Sequence, residues 1–211
     1  TAVKGALGLL LGGAVGELPA QARTMLDVAN RNSDRLLLLI NDILDIQKIE
    51  SGQVAFKREG VDLLRLAEQG IETNGAYART FGVTLALERR LEAARVTGDP
   101  DRLGQVLANL LSNAVKFSPP NGRVGVALTR EDGAIRVSVT DHGPGVPETF
   151  RPRLFQKFAQ ADASDTRQKG GTGLGLSICK AILDRLGGRI GYASEPGRTT
   201  FFFELPEGGA A

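Results

Sequence analysis

The stretch NLLSNAVKFS, residues 109–118, places three polar side chains within a segment that is otherwise suited to burial. Asn109, Asn113 and Lys116 are separated by four and three residues, a spacing that puts all three on one face of a helix. Amide and ammonium groups aligned in this way indicate that something polar, and not the protein core, lies against that face.

Two glycine-rich segments follow along the chain. DHGPGVP, residues 141–147, comes where a predicted strand ends, and GGTGLGLS, residues 170–177, leads into a predicted helix. Glycines before a helix N-terminus let backbone N–H groups approach an anion, and the helix dipole favours negative charge there. The second segment therefore has the features of a phosphate cradle, although it fits neither the P-loop nor the Rossmann fingerprint. Taken alone, it is equally compatible with a tight, closely packed loop.

Hydrophobic spacing and capping residues predict the elements that hold these motifs. Residues 2–11 and about 21–49 follow helical patterns. The elements predicted after Gly52 are a helix capped by Asp62 and ending near Arg79, a strand at 83–87, a helix opened by Asp99-Pro100, strands at 124–128 and 135–139, a helix from near Gly173 to Gly187, and a hairpin at 190–205. We therefore predict an α+β fold, a two-layer α/β sandwich whose mixed sheet carries helices on one face, preceded by a partial helical hairpin.

The second helix of this hairpin has a broader apolar face than one neighbouring helix requires. Two series run along it, at positions 36, 39, 43 and 46 and at positions 37, 40, 44 and 47, all apolar except Gln47. Because the first helix is short, the pair cannot cover this face, which favours a homodimer in which helices of a second chain pack here. The alternative is that the face docks on the rest of the same chain.

Composition excludes several classes of protein. The 211 residues carry 26 Lys and Arg against 24 Asp and Glu, a net charge of +2 with scattered basic residues, so nucleic acid is not an expected partner. The single cysteine, Cys179, and the single histidine, His142, leave no internal disulfide and no structural zinc cluster, which favours a cytoplasmic location. No apolar run approaches the roughly 20 residues that span a bilayer. The chain begins without methionine, so we interpret it as a fragment, and a membrane anchor upstream stays open.

Four motifs in order carry a resemblance to a known family. NLLSNAVKFS, DHGPGV, FQKFAQAD (residues 155–162) and GGTGLGLS resemble the N, G1, F and G2 boxes of the ATP-binding domain of sensor histidine kinases. NDILDIQKIESG, residues 41–52, is similar to the end of the second helix of that family's dimerisation and phosphoacceptor hairpin. The resemblance covers essentially the whole chain, with the partial hairpin at residues 1–52 and the catalytic ATP-binding domain at residues 53–211.

The resemblance implies a role for each polar residue of the first motif. Asn113 would bind Mg²⁺, a cation that prefers oxygen ligands shared with phosphates. Asn109 would support the same ion or its waters, and Lys116 would neutralise phosphate charge. Asp141 would accept a hydrogen bond from the adenine amino group. The helix face of the opening stretch would then lie against Mg²⁺ and the nucleotide phosphates.

The same resemblance implies the remaining nucleotide contacts. These are Gly143, Gly145, Val146, Phe158, Arg167, Gly171, Thr172, Gly173, Leu174 and Gly175. The first two glycines would let adenine lie close to the backbone, and those of the last motif would cradle phosphates. Residues from about 156 to 172 would form a mobile lid. Phe155 and Phe158 are expected to be buried, either as anchors of this lid or as ordinary core, and Arg167 is a candidate contact to the γ-phosphate.

The sole histidine is not the expected acceptor. His142 occupies a variable position of the DxGxG motif, and we predict an exposed bystander. The resemblance places the accepting histidine about two helical turns before Thr1. This fragment is therefore expected to bind nucleotide without phosphorylating itself.

The function implied is that of a kinase with Mg²⁺ and ATP as cofactors. The γ-phosphate would pass to a histidine and then to an aspartate of a response-regulator receiver domain. A competing class is the ATP-hydrolysing gyrase and chaperone group, whose catalytic glutamate is replaced here by Asn109, which cannot act as a general base. A third possibility is a degenerate scaffold that binds a partner and no nucleotide.

Overall fold

The structure, a computed structural model, describes residues 2–160 and 171–208. It begins with a helical hairpin made of α1 (Ala2–Leu11) and α2 (Ala20–Glu50). Pro19 directly precedes α2, where its missing N–H costs no helical hydrogen bond. Helix α1 buries none of its residues, and α2 buries Ile46 and Ile49 near its C-terminus. Most of the hairpin's apolar surface therefore faces outward within this chain.

The elements that follow the hairpin form an α/β unit. They are β1 (Glu59–Asp62), α3 (Leu63–Thr80), β2 (Thr84–Arg89), β3 (Arg95–Gly98), α4 (Pro100–Phe117), β4 (Arg123–Glu131), β5 (Ala134–Asp141), a short 3₁₀ turn (Arg151–Arg153), α5 (Gly175–Leu186), β6 (Arg189–Glu195) and β7 (Arg198–Pro206). Side chains of Asp62 and Asp99 accept hydrogen bonds from the first-turn N–H groups of α3 and α4. These caps start the two helices where the sequence predicts.

Five strands form one mixed sheet in the order β2-β4-β5-β7-β6. Strands β2 and β4 are parallel, and the other neighbours are antiparallel. Alternate residues of β4, β5 and β7 face inward, where Val126, Val139 and Phe203 are among the buried side chains. Helix α4 covers this face with seven buried residues, and α5 packs beside it. The result is one layer of helices on one layer of sheet, which confirms the predicted α+β fold.

Three details differ from the sequence prediction. Strands β1 and β3 form a separate two-stranded sheet that the sequence pattern does not predict. Helix α5 begins at Gly175 and not at Gly173, because Gly173 has φ of +73°, outside the helical region. The prediction that Phe158 is buried is wrong: its side chain is 58% exposed. Phe155 is half-buried, with its ring centroid 6.1 Å from that of Tyr192.

Candidate functional site

One end of the candidate site is built on the last residue of β5. Asp141 continues the inward-facing series of that strand and is only 3% exposed. Its Oδ1 accepts a hydrogen bond from the Gly143 N–H at 2.8 Å, and its register partner Thr199 on β7 is also buried. Burial raises the pKa of Asp141 above the usual aspartate range, while the Gly143 N–H and the neighbouring His142 oppose the shift. A fixed acceptor therefore lies at the floor of this end.

The glycines beside Asp141 are required by close backbone approach. A Cβ on Gly143 would lie 2.5 Å from the Phe117 carbonyl oxygen at the end of α4. Gly145 has φ of +88°, and a Cβ there would lie 3.0 Å from the Glu195 carbonyl oxygen. Side chains at either position would push the loop away from the helix or from the β6–β7 hairpin. The loop can therefore present its backbone closely to a flat ligand, as predicted for adenine.

Two further residues hold this loop in place, and the sequence pattern does not predict them. The Ser194 hydroxyl accepts a hydrogen bond from the Val146 N–H at 2.8 Å. Arg151 donates from Nε to the Val146 carbonyl and from Nη2 to the Ser194 carbonyl, both at 3.3 Å. Because Ser194 lies more than forty residues from both Val146 and Arg151 in the chain, no local spacing could have indicated its contacts. They join the loop to the β6–β7 hairpin at the end of the site that is predicted to bind adenine.

The three polar residues of α4 do share one face, but their surroundings differ. The Asn109 side-chain N–H donates to the Gly175 carbonyl at 3.4 Å, which joins α4 to the start of α5. Asn113 is partly exposed, and its side chain makes no hydrogen bond to other described residues. Burial lowers the pKa of Lys116, and the carboxylate of Asp42 on α2 opposes that shift. Asn113 and Lys116 are therefore the members of the face that are available to a polar ligand.

The start of α5 differs from the starts of α3 and α4 because no side chain caps it. Its first N–H groups therefore lack the carboxylate partner that Asp62 and Asp99 supply elsewhere. In the preceding loop, the Leu174 N–H donates to the Thr172 hydroxyl at 3.2 Å. The Leu174 side chain is fully buried, so only its backbone can face a ligand. This helix end has the properties of an anion site, as predicted for the glycine-rich segment.

Helix α2 of the hairpin reaches this same end of the site. The Thr172 hydroxyl donates to Oδ2 of Asp42 at 2.7 Å, and Arg35 donates to the Gly171 carbonyl at 3.2 Å. Farther along α2, Asp45 forms a salt bridge with Arg102 of α4 at 2.9 Å. The sequence patterns predict none of these contacts, because each links residues more than fifty positions apart. The hairpin therefore supplies polar groups to the predicted phosphate end.

Two further predicted residues are His142 and Arg167. His142 is exposed, with Nδ1 3.3 Å from the Gly197 carbonyl, as expected for a bystander. Arg167 lies outside the described residues.

Within residues 2–160 and 171–208, no three His, Cys, Asp or Glu side chains lie close enough together to hold a metal ion. A cation here would instead take amide and phosphate oxygens, a donor set that suits Mg²⁺.

None of the described helices is long and apolar enough to cross a membrane.

The chain belongs to the family of histidine kinase-, DNA gyrase B- and HSP90-like ATPases, which matches residues 98–209. Residues 1–52 match the His kinase A phospho-acceptor domain. The two matches confirm the resemblance to the catalytic region of sensor histidine kinases, with part of the phosphoacceptor helices.

Individual relatives agree with this assignment. The circadian input-output histidine kinase CikA of Synechococcus elongatus is 41% identical over 98% of this chain, and the histidine kinase BarA of Escherichia coli is 36% identical over 90%. The chain spans 28% of the length of CikA and 21% of that of BarA. Full-length ShkA in complex with AMPPNP has a TM-score of 0.78 and 32% identity, covering 100% of this chain and 44% of ShkA.

Proposed function

We propose that this chain is the ATP-binding catalytic region of a sensor histidine kinase, which binds Mg-ATP and transfers its γ-phosphate to a histidine of the hairpin. The phosphoryl group would then pass to an aspartate of a response-regulator receiver domain. ThkA, which shares this fold at a TM-score of 0.73 and 24% identity, was solved with the response regulator TrrA.

One observation carries the proposal: both glycine-rich segments contact helix α4, which bears the polar face, and they do so at separate points. Gly143 lies against Phe117 and Gly175 against Asn109, positions that are eight residues apart on α4. This separation is about 12 Å along the helix axis. A nucleotide with adenine at Asp141 and phosphates at the start of α5 would extend along this stretch. Asn113 and Lys116 lie between the two points.

Each residue would contribute binding or charge and not covalent chemistry. Asp141 would accept from the adenine amino group, the free N–H groups of α5 would bind phosphate oxygens, and Lys116 would neutralise their charge. Asn113 would hold Mg²⁺ through its amide oxygen, with Asn109 supporting the ion or its waters. The bound ion would neutralise charge on the phosphates. Gly171, Gly173, Thr172 and the Leu174 backbone would line the phosphate loop, and Phe158 and Arg167 stay predicted contacts from the lid.

Transfer to histidine is favoured over hydrolysis. Asn109 occupies the position where a general base would activate water, and an amide cannot take up a proton at neutral pH. An imidazole nucleophile needs no such activation, since its neutral form is abundant near pH 7. The alternatives of an ATP-hydrolysing relative and of a nucleotide-free scaffold are correspondingly disfavoured.

A homodimer through the hairpin is part of the proposal. Leu36, Ile40 and Leu44 of α2 are at least 44% exposed within this chain. An apolar strip of this kind marks a surface that a protein partner covers. Ile46 and Ile49 instead dock on the α/β unit, so the alternative of docking on the same chain applies to the C-terminal end of this helix. A second copy of the hairpin would cover the exposed part.

Because ATP is the proposed substrate, we retain the cytoplasm as the proposed location.

The test is a phosphorylation assay on a chain extended upstream through the expected histidine. After incubation with γ-labelled ATP and Mg²⁺, we expect labelled protein whose label is lost in acid and stable in base. The fragment itself and an Asn113→Ala variant of the extended chain should stay unlabelled. Release of free phosphate without labelled protein would support the ATPase alternative and refute the kinase proposal.

A further inference from the structure

Helix α2 places a carboxylate at the phosphate end of the proposed nucleotide site. Oδ2 of Asp42 lies 2.7 Å from the Thr172 hydroxyl, in the loop that leads to the start of α5. Two turns earlier on the same helix, Arg35 donates to the Gly171 carbonyl. Both residues of α2 therefore contact the segment that is expected to cradle phosphates.

Neighbouring residues of α2 hold Asp42 in position, so its place does not depend on its own hydrogen bond. Asp45 accepts from Arg102 at 2.9 Å and from the Gln105 side chain at 2.8 Å, in a salt bridge whose side chains are less than a quarter exposed. Ile46 and Ile49 are 3% and 1% exposed against the core. Replacing Asp42 should therefore change the local charge and leave the docked helix in place.

The charge of Asp42 acts on the cation that would bind phosphate. Burial lowers the pKa of Lys116, and the Asp42 carboxylate is the neighbouring charge that opposes this. Lys116 therefore already has an anionic neighbour in the absence of nucleotide. An additional anion that approaches Lys116 from the Thr172 side is attracted by the lysine and repelled by the aspartate.

This arrangement affects a triphosphate more than a diphosphate. Both nucleotides place α- and β-phosphates in the cradle, but ATP adds a further anionic group at the outer end. We propose that Asp42 is a specificity-determining residue, which disfavours the γ-phosphate and so raises the preference for ADP over ATP while α2 is docked. The inference rests on the proposed function, since it assumes that nucleotide phosphates occupy this end.

Linkage makes the effect reciprocal. If docking of α2 weakens ATP binding more than ADP binding, then ATP weakens docking by the same factor. Docking of α2 is therefore more favourable with ADP bound, after phosphoryl transfer, than with ATP bound, before it.

The test compares affinities of ADP and of the non-hydrolysable triphosphate AMPPNP by calorimetry in the presence of Mg²⁺. We expect Asp42→Asn to improve AMPPNP binding about three- to tenfold more than ADP binding, as for unit charges several ångströms apart at a partly exposed site. Asp42→Glu keeps the charge and should keep the wild-type ratio. Asp34→Asn is the matched control, because Asp34 lies on the same helix but pairs with Lys4 of α1 at 2.5 Å.

The possible outcomes separate this inference from the proposed function. An unchanged AMPPNP to ADP ratio in Asp42→Asn, or the same change in Asp34→Asn, would overturn the role of Asp42 and leave the nucleotide site intact. Absence of binding of either nucleotide to the wild-type chain would overturn both proposals.

Discussion

The two ends of the proposed nucleotide site are built differently. The adenine end lies within the α/β unit, where Asp141 and Thr199 are buried and Ser194 and Arg151 fix the loop. The phosphate end is shared between that unit and the hairpin, since Asp42 and Arg35 of α2 contact the loop before α5. One end is closed by contacts inside a single core, and the other by contacts between two parts of the chain.

This difference indicates a division of labour. A buried acceptor with a rigid surrounding loop can recognise the base in the same way in ATP and in ADP. An end that depends on the position of α2 can respond to the number of phosphates and to movement of the hairpin. Variants at the adenine end should therefore affect both nucleotides alike, whereas variants at the phosphate end should affect triphosphate chemistry most.

The largest effect is expected for Asn113→Ala. Loss of the amide oxygen that would hold Mg²⁺ should reduce histidine phosphorylation by about 100-fold or more, as for the removal of one preorganised charge-stabilising group. Labelling of the extended chain with γ-labelled ATP measures it. Asn74→Ala is the matched control, because the Asn74 amide donates to the Gly70 carbonyl within α3, on a helix that is not part of the proposed site. Equal labelling of the Asn113 variant and the wild type would exclude a role for Asn113 at the metal.

Asp141→Ala should weaken ADP and AMPPNP binding by a similar factor. A hydrogen bond to a charged group contributes about 1.5–3 kcal/mol, so affinities should fall roughly ten- to 100-fold. Calorimetry with both nucleotides gives the two factors directly. Asp184→Ala serves as control, since Asp184 is exposed on α5 and pairs with Lys180 at 2.6 Å. A loss confined to AMPPNP would contradict the assignment of this end to adenine.

Ser194→Ala should have a smaller effect of the same kind. Without its hydroxyl, the Val146 N–H loses its acceptor and the loop is less well positioned. We expect both nucleotides to bind about two- to tenfold more weakly, with little change in labelling rate at saturating ATP. Ser194→Thr keeps the acceptor and should restore binding. Ser138→Ala, on β5, offers a control with the same chemical change. A slower rate at saturation would place Ser194 in catalysis instead of positioning.

The smallest effect is a shift with pH. Because burial raises the pKa of Asp141, its charge should be lost at a higher pH than that of an ordinary aspartate. Nucleotide affinity of the wild type should therefore fall more on acidification than that of Asp141→Asn, which controls for titration of the phosphates. Parallel profiles would show that the carboxylate charge does not contribute to binding.

The same shift has a consequence for stability. A carboxyl whose folded pKa exceeds its unfolded pKa favours folding when protonated, and this contribution is lost as pH rises through the folded pKa. At neutral pH the buried charge of Asp141 therefore opposes folding. The nucleotide-free Asp141→Asn protein should melt at a higher temperature than the wild type at pH 7, and by a smaller margin at acidic pH. A lower melting temperature at pH 7 would contradict the sign.

Local patterns predicted much of the fold, whereas the residues of the proposed site were named mainly from the resemblance and stay predictions. Asp62 and Asp99 mark helix starts by a mechanism confined to a few residues, and the alternation from Ile135 to Asp141 fixes which side chains face the core. Strands β1 and β3 were missed because each has four residues and its pairing joins Glu59 to Gly98. The role of Ser194 and the position of Asp42 over Thr172 also depend on contacts between distant segments. Phe158 was expected to be buried from its residue type, but it takes φ of +61° and faces outward.

The most direct test of the account asks whether one nucleotide occupies both ends. Mg-AMPPNP would be titrated into nitrogen-labelled protein, and the backbone amide resonances followed by NMR. We predict two groups of shifted amides with the same dissociation constant, one at Gly143–Val146 and one at Gly171–Leu176, with Asp141→Ala weakening both. Shifts confined to one group, or two groups that titrate with different constants, would contradict a single nucleotide lying along α4.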